Sequence, residues 1–581
     1  MATGGLLAEL KRRRVFRVLL GYGLFSFAVL QVIEPVLHAY HLPDWTLTAV
    51  VTALAVGFPV SVILSWLFDL TTEGLVRTPS TPGRATRGRA VTLAGGIGLL
   101  AALPGVGWYA WKQAGAPKPA PEALASASSI AVLPFSDFSP EHDQDYFSDG
   151  IAEEILNALA QVDGLRVTGR TSSFSFKGKA QDLRAIGASL GVATVLEGSV
   201  RKAGSRIRIT AKLVKTADGF NLWSQSFDRE LSDVFAVQDE IAAAVVTALR
   251  IKLLPGKAAT SRGATSVKEA HDHYLLGRDL ARSGEGEKTI RALVHFEKAV
   301  ALDPGYALAW AGTANALRWI EGFAAAGVSD PAVRRRALQA AERAIALGPD
   351  MPDGYVARAR IRRGFLLDWM GARADLDRAR ELGPGDAAAA WASGQLLMTI
   401  GTLQQAHAEL VRSVELDPLS AQAWLTLGQV QISAGDHQRG RFSLARALEL
   451  APQGDEARYY LIASQAVTGQ PALALATAEQ TRTPWIRLTG VAIAQHDLGR
   501  VKESRAALEV LIAGSASDAA YQIADVHAWR GEKDQAFVWL ERARVQADTG
   551  LGWIRFDPLL AKLRGDPRYP MLLRKLKLPV D

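Results

Sequence analysis

The chain has 581 residues, too many for one hydrophobic core, so it must divide into several units. Apolar residues make up 49% and charged residues 22%, a balance that suits a mixture of membrane-embedded and aqueous parts. The net charge of +7 is spread too thinly over this length to call for a nucleic-acid partner, and the absence of cysteine excludes disulfides, thiolate zinc sites and cysteine nucleophiles.

Residues 1–14 form a basic N-terminus, and residues 15–111 contain three apolar stretches, 15–33, 45–68 and 91–111, each long enough to cross a bilayer as a helix. Lys11, Arg12, Arg13, Arg14 and Arg17 precede or open the first span, and Arg77, Arg84, Arg87 and Arg89 lie between the second and third. The short turn at residues 41–45 has no Lys or Arg, so the positive-inside bias puts the N-terminus and the 70–90 loop in the cytoplasm. Three crossings would then leave everything after residue 111 on the far side, whereas two, without the glycine-rich third span, would leave it in the cytoplasm. Glu34 and Asp69 end the first two spans and read as boundary residues, and His38 and His41 lack a third metal ligand.

Residues 112–128 are rich in Ala and Pro and predict an extended tether. Residues 129–255 then change to short strands and amphipathic helices. Strands are expected at 130–134, 164–168 and 192–197, followed by an antiparallel pair at 206–214 and 219–227. Helices are expected at 149–162, 182–190 and 234–253.

The segments Ile130-Ala-Val-Leu-Pro-Phe135, Tyr146-Phe-Ser-Asp-Gly150, Glu153-Glu154, Arg170-Thr-Ser-Ser-Phe174, Leu196-Glu-Gly-Ser-Val-Arg201 and Leu222-Trp-Ser-Gln-Ser-Phe-Asp-Arg229 carry a family likeness. This region resembles the TolB-type N-terminal α/β domain found in bacterial tetratricopeptide-repeat (TPR) proteins. The resemblance implies a domain that its relatives join to class III nucleotide cyclases or winged-helix modules, with a three-span anchor in that place here. For a bacterial protein, the three crossings would mean an inner-membrane location with residues after 111 in the periplasm.

Several spellings suggest chemistry without supporting it. Asp137, after the first strand, lacks the second carboxylate on a neighbouring hairpin that a two-metal cyclase needs, and reads as part of a loop. Gly187-Ala-Ser189-Leu-Gly191 fits the hydrolase spelling, but its serine would end a helix and not a strand. Gly178-Lys179 and Gly256-Lys257 lack the earlier glycine of a phosphate loop. His271 and His273 alternate on an expected helix and read as solvated, as does the basic run at 334–336.

Residues 265–578 are self-similar. Leu302-Asp-Pro304, Leu347-Gly-Pro349, Leu382-Gly-Pro384, Leu416-Asp-Pro418 and Leu450-Ala-Pro452 recur at spacings of 45, 35, 34 and 34 residues, the period of TPR helix pairs. About eight pairs are expected, the first with an extended turn near 283–287 and the second with extra residues near 324–331. The segment from Arg555 to Leu578 would cap the array. Known arrays of this kind bind peptides along the first helix of each pair, and projecting that pattern selects Trp391, Gln395, Gln422, Gln429 and Ser433 as protein-binding groove residues.

The whole predicts a multidomain protein: three transmembrane α-helices, a small α/β domain and an all-α TPR solenoid. Its expected function is a membrane-anchored protein-binding scaffold or sensor-adaptor with protein or peptide partners, a lipid bilayer around its spans, and no catalysis, cofactor or metal of its own. The alternative is a signalling or transcription-related regulator related to TPR cyclases, with nucleotide or small-ligand binding in the α/β domain.

Overall fold

The structure is a computed structural model. It describes positions 22, 26, 29 and 54, residues 68–71 and 74–77, and residues 128–580 except 142, 163, 180–181, 231–232, 250–262, 264, 282–285, 324–329 and 547. The basic N-terminus, most of the three expected spans, the tether, the end of the 234–253 helix and the two expected insertions lie outside the described residues. The chain divides into two compact units, Met1–Glu122 and Ala123–Asp581.

In the first unit Tyr22, Ser26, Val29 and Leu54 are helical, and the Tyr22 hydroxyl donates to the Leu54 carbonyl at 2.7 Å. Strands β1 (Phe68–Thr71) and β2 (Gly74–Arg77) pair antiparallel, with Leu70 opposite Leu75. This corrects the sequence expectation at one point: Phe68 and Asp69 belong to a hairpin, not to a helical span end. Among the described residues no helix is long and apolar enough to cross a membrane.

The second unit begins with a sheet built from β3 (Ser129–Val132), β4 (Ser136–Asp137), β5 (Arg166–Val167), β6 (Thr194–Ala203), β7 (Arg206–Lys215) and β8 (Asn221–Glu230), in the order β5-β3-β6-β7-β8. β3 runs parallel to β5 and β6, whereas β6, β7 and β8 form an antiparallel meander. Alternation along β7 buries Ile207, Ile209, Ala211 and Leu213 on one face. Helices α1 (Asp145–Ala160), α2 (Arg170–Phe174), α3 (Leu183–Leu190) and α4 (Val234–Ala248) connect and cover the strands. Asp182 caps α3, and Gly191 ends it at a left-handed φ of 63°, so Ser189 lies inside a helix.

Two expectations are corrected here. Ser136-Asp137 is not a loop: it is strand β4, pairing with β6 at Ser199 and Val200. The third strand does not stop at 197, because β6 runs on to Ala203 in register with the whole of β7.

The solenoid consists, among the described residues, of eight helix pairs. They are α5 (Lys268–Ala281) with α6 (Gly286–Leu302), α7 (Ala307–Phe323) with α8 (Pro331–Leu347), and α9 (Pro352–Ile361) with α10 (Trp369–Leu382). α11 (Ala387–Ile400) with α12 (Leu403–Leu416), α13 (Ala421–Ser433) with α14 (His437–Leu450), and α15 (Asp455–Val467) with α16 (Pro471–Glu479) continue it. α17 (Pro484–Asp497) with α18 (Val501–Ser515) and α19 (Ala520–Trp529) with α20 (Lys533–Gln546) complete it. A short helix α21 (Arg568–Lys575) follows. The repeated glycines have a steric cause: a Cβ at Gly394 would lie 2.5 Å from Leu410, and one at Gly428 would lie 2.7 Å from Leu444.

The core of the sheet domain runs without a break into the first repeats. Phe147, Ile151 and Ile155 of α1 belong to the same buried cluster as Tyr274, Leu275, Phe296 and Tyr306 of the array. A Cβ at Gly150 would lie 2.5 Å from a Leu275 methyl, so the two parts pack too closely there for any larger residue without rearrangement.

Candidate functional site

The sheet domain is fixed to one edge of the solenoid through the loops between repeats. The Gly169 amide donates to the Leu416 carbonyl at 2.6 Å, and the Gly385 amide donates to the Ala160 carbonyl at 3.0 Å. Ser172, fully buried at the start of α2, donates its amide (2.7 Å) and its hydroxyl to Oδ1 of Asp417, and its Oγ accepts from the Leu419 amide at 2.7 Å. Burial pushes the Asp417 carboxyl up, while the Ser172 hydrogen bonds act against that shift. A Cβ at Gly169 would sit 2.7 Å from Asp417, and one at Gly385 would sit 2.7 Å from the Ala160 oxygen. The Asp that punctuates the fourth repeat is thus also the acceptor at this joint.

The neighbouring contacts use the same motif residues that carry the family likeness. Glu153 of α1 pairs with Arg170 at 2.7 Å and with Arg278 of α5. Glu154 accepts from Gln238 of α4 and faces Nε2 of His271 at 3.2 Å. His271 is therefore buried at an interhelical contact, and Nδ1 of His273 lies 3.0 Å from that of His295. The expectation that both rings are solvated is corrected, because α5 is covered by α1 on one side and α6 on the other.

A cavity of about 470 Å³ opens inside this joint, lined by Glu153, Arg170, Asn315, Trp319, Asp353 and Arg360 among others. Arg360 and Arg363 point away from the carboxylates that serve their neighbours: Arg358 and Arg362 both bind Asp375 of α10, at 2.7 and 2.9 Å. Arg318, on α7, lies over the Trp319 ring (4.9 Å to the centroid), and Arg360 lies over the Trp391 ring (5.7 Å). A smaller cavity of about 140 Å³, bounded by Arg363, Trp369, Thr399, Asp548 and Leu578, follows further along.

The five projected groove residues occupy different environments. Trp391 packs against the core and donates Nε1 to the Thr426 hydroxyl at 3.0 Å. Gln395 is half-buried, Gln422 is exposed, and Gln429 is buried between helices with 6% of its surface accessible. Ser433 accepts a 2.6 Å hydrogen bond from Nε1 of Trp553, which belongs to the C-terminal segment.

That segment crosses the face shared by the first helices of the later repeats. Trp553 meets Tyr460 edge-on at 4.8 Å and Tyr459 at 6.2 Å, and Arg555 donates to the carbonyls of Thr399 and Gly401. The Tyr521 hydroxyl binds Asp557 at 2.9 Å, and Trp369 Nε1 binds the Leu576 carbonyl at 3.0 Å. The expected cap is therefore a strap inside the array, reaching from α19 back to α10, because its buried Leu551, Trp553, Ile554, Leu559 and Leu560 need the apolar interior. Sequence projection missed this occupancy, and with it the open stretch nearer the joint. The spacing of Arg358, Arg360, Arg362 and Arg363 does hold a signal, since positions 358 and 362 share one helix face and 360 and 363 another.

A cleft of about 890 Å³ lies in the sheet domain beyond the end of β3, lined by Pro134, Asp137, Phe138, Lys177, Lys179 and Lys212 among others. Among the described residues no group of three or more His, Asp or Glu is placed to hold a metal ion.

Comparison with known proteins gives partial matches. The family described as "HilA/YgeH-like transcriptional regulator, second domain" matches residues 126–244, the sheet domain. The protein named "Putative adenylate cyclase 3" of Rhizobium meliloti (strain 1021) is 42% identical over 193 residues, 33% of each chain. The chain thus spans about a third of that curated relative. Among solved structures, the TPR protein YrrB, described as having an unusual peptide-binding site, is 23% identical, with 32% of this chain and 89% of YrrB covered and a TM-score of 0.23. PilW, a type IV pilus biogenesis factor, is 16% identical, with 42% of this chain and 93% of that chain covered and a TM-score of 0.28.

Proposed function

We propose that the protein is a membrane-anchored scaffold or sensor-adaptor that captures a segment of a partner protein inside its TPR array. The observation that carries this is the open cavity at the joint. Its walls come from both the sheet domain and the repeats, and their mutual placement is fixed by the buried Ser172–Asp417 contact. At about 470 Å³ the cavity falls in the range of ligand-binding pockets and has room for a few residues of an extended chain. Pre-organised walls lower the ordering cost of binding. The repeat period and the helix pairs favour the same role, and the TolB-like sequence pattern favours a bacterial envelope setting.

The test is a photo-crosslinking residue at position 319, in the full chain expressed in cells. A discrete, reproducible crosslinked partner is expected, and an equal pattern from a control crosslinker on the outer face at 439 sinks the proposal. The proposed topology predicts active alkaline phosphatase when it is fused after Ala120. A stable but inactive fusion reverses the compartment.

A second function, ligand binding in the sheet domain by a regulator related to TPR cyclases, is favoured by the cleft beyond β3 and by the match to part of a protein named as an adenylate cyclase. Nucleotide turnover by the purified chain would replace the scaffold proposal with this one.

A further inference from the structure

Between the joint and the C-terminal strap stand three arginines with no carboxylate within ion-pair distance among the described residues: Arg360, which lines the 470 Å³ cavity, Arg363, which lines the 140 Å³ one, and Arg318, on which the charges of both act. The other half-buried arginines of the same repeats are matched, Arg334 to Glu321, Arg358 and Arg362 to Asp375, and Arg373 to Asp377. All three are half-buried, and Nε of Arg318 is buried without a partner. Desolvation pulls the Arg318 guanidinium down to about 9 and that of Arg363 down to about 10, and the neighbouring arginines add to both shifts. These cations repel one another in a poorly solvated interior, an effect the charge of Asp386 offsets at Arg360 alone, and an anion would relieve that repulsion.

The surroundings narrow the ligand. Oδ1 of Asn315, one turn before Arg318, is a buried acceptor without a partner, suited to a backbone N–H. Trp319, 42% exposed, and Trp391 offer ring faces beside the arginines. The rest of the cavity carries both signs of charge: Asp353 and Asp386 stand at the N-terminal ends of α9 and α11, Asp386 close enough for its charge to act on Arg360, while Arg170 and Arg278 are paired with Glu153 and Asp417 lies beyond. Two helical turns, or about 10 Å, separate Asp353 from Arg360 along α9. Asp353, Asp386 and Asp417 disfavour a continuous run of phosphates along the cavity, whereas a short peptide can put carboxylates beside the arginines and neutral or basic groups beside the aspartates.

We infer that Arg318, Arg360 and Arg363 form the anchor for an acidic segment of the partner, whose side-chain carboxylates they receive while Asn315 receives a backbone amide. This rests on the scaffold proposal and names the chemistry of what is captured.

The test is binding of fluorescent probes to the full chain in detergent, followed by anisotropy. One probe is a peptide of about eight residues alternating Glu and Asp with Leu and Gly, the second has Gln and Asn in place of the acids, and the third is an oligonucleotide of equal charge. The acidic peptide is expected to bind, to weaken with added salt, and to bind about tenfold or more weakly to the triple variant R318Q/R360Q/R363Q. The double variant R336Q/R378Q, which alters exposed arginines that already have partners, should bind as the parent does. Removing mutual repulsion should leave the melting temperature of the triple variant equal or higher. If it is lower, R318Q alone is decisive, with about threefold weaker binding expected.

Equal binding of acidic and neutral peptides, preference for the oligonucleotide, or unchanged affinity in the arginine variants overturns the inference. The crosslink from position 319 separates the two levels. A partner still captured by the triple variant refutes the arginine anchor and leaves the scaffold standing, whereas no captured partner in the parent removes both.

Discussion

Asp417→Ala should open the joint between the sheet domain and the array. In the structure, Oδ1 of Asp417 takes both donors of Ser172, a residue with no accessible surface. Without the carboxylate, two buried donors lose their acceptor, at about 1–3 kcal/mol each, or about 2–6 kcal/mol together. Part of this returns because the carboxylate itself no longer has to be desolvated, so a net cost of about 3 kcal/mol is expected. Asp417→Asn keeps an acceptor without the charge and should cost about 1 kcal/mol or less.

The assay is hydrogen exchange of the amides of Gly169, Ser172 and Leu419, which reports local opening without requiring two-state unfolding of a large chain. About 3 kcal/mol corresponds to exchange about a hundredfold faster in Asp417→Ala. The charge adds a pH signature. The folded Asp417 carboxyl is raised above its unfolded value, so its contribution is complete at low pH and is lost as pH rises through the raised value. Protection of Ser172 should therefore fall with rising pH in the parent and not in Asp417→Asn. Unchanged protection at all three amides in Asp417→Ala would refute the account of the joint.

Gly385→Val should produce a similar local opening, because the new Cβ meets the Ala160 oxygen at 2.7 Å and breaks the Gly385–Ala160 hydrogen bond; faster exchange at 385 with the later repeats unaffected is the expected result. Trp553→Ala removes the ring held by Ser433, Tyr459 and Tyr460, and should weaken docking of the strap by about 3–5 kcal/mol, seen as rapid proteolysis near residues 547–560. The strap should also loosen with pH. Burial pushes Asp557 up to about 7 and Asp525 well above the usual carboxylate range, with the charge of Asp557 adding to the latter, so docking is strongest at acidic pH and weakens as pH rises through about 7. Exchange at Leu559 measured between pH 6 and 8 should accelerate in the parent and not in Asp557→Asn.

The repeats were legible because their constraint is local and periodic. Gly394 and Gly428 recur where a second helix crosses within 3 Å of a would-be Cβ, and Pro304, Pro349, Pro384, Pro418 and Pro452 recur where the second helix must stop. The strands of the sheet domain were legible from alternation, although their lengths were not. Whether β6 ends at 197 or 203 depends on a partner strand, and β7 supplies one along its full length.

What the sequence by itself determined is therefore the kind of unit present in each stretch: an α/β domain followed by helix pairs of 34-residue period, with small residues at their crossings. Only the tertiary structure decided which faces remain open. Asp417 looks like repeat punctuation until Ser172, 245 positions earlier in the chain, is brought against it. Ser433 looks like a groove residue until Trp553, 120 positions later, covers it. Arg360 and Arg362 are two residues apart and chemically identical, yet the phase of α9 and the π-turn at Arg362–Leu366 gives one a carboxylate and turns the other toward the interior. Helix period and steric limits act between near neighbours and are written in local spacing. Occupancy and charge pairing act between distant ones, and exist only once the chain has folded onto itself.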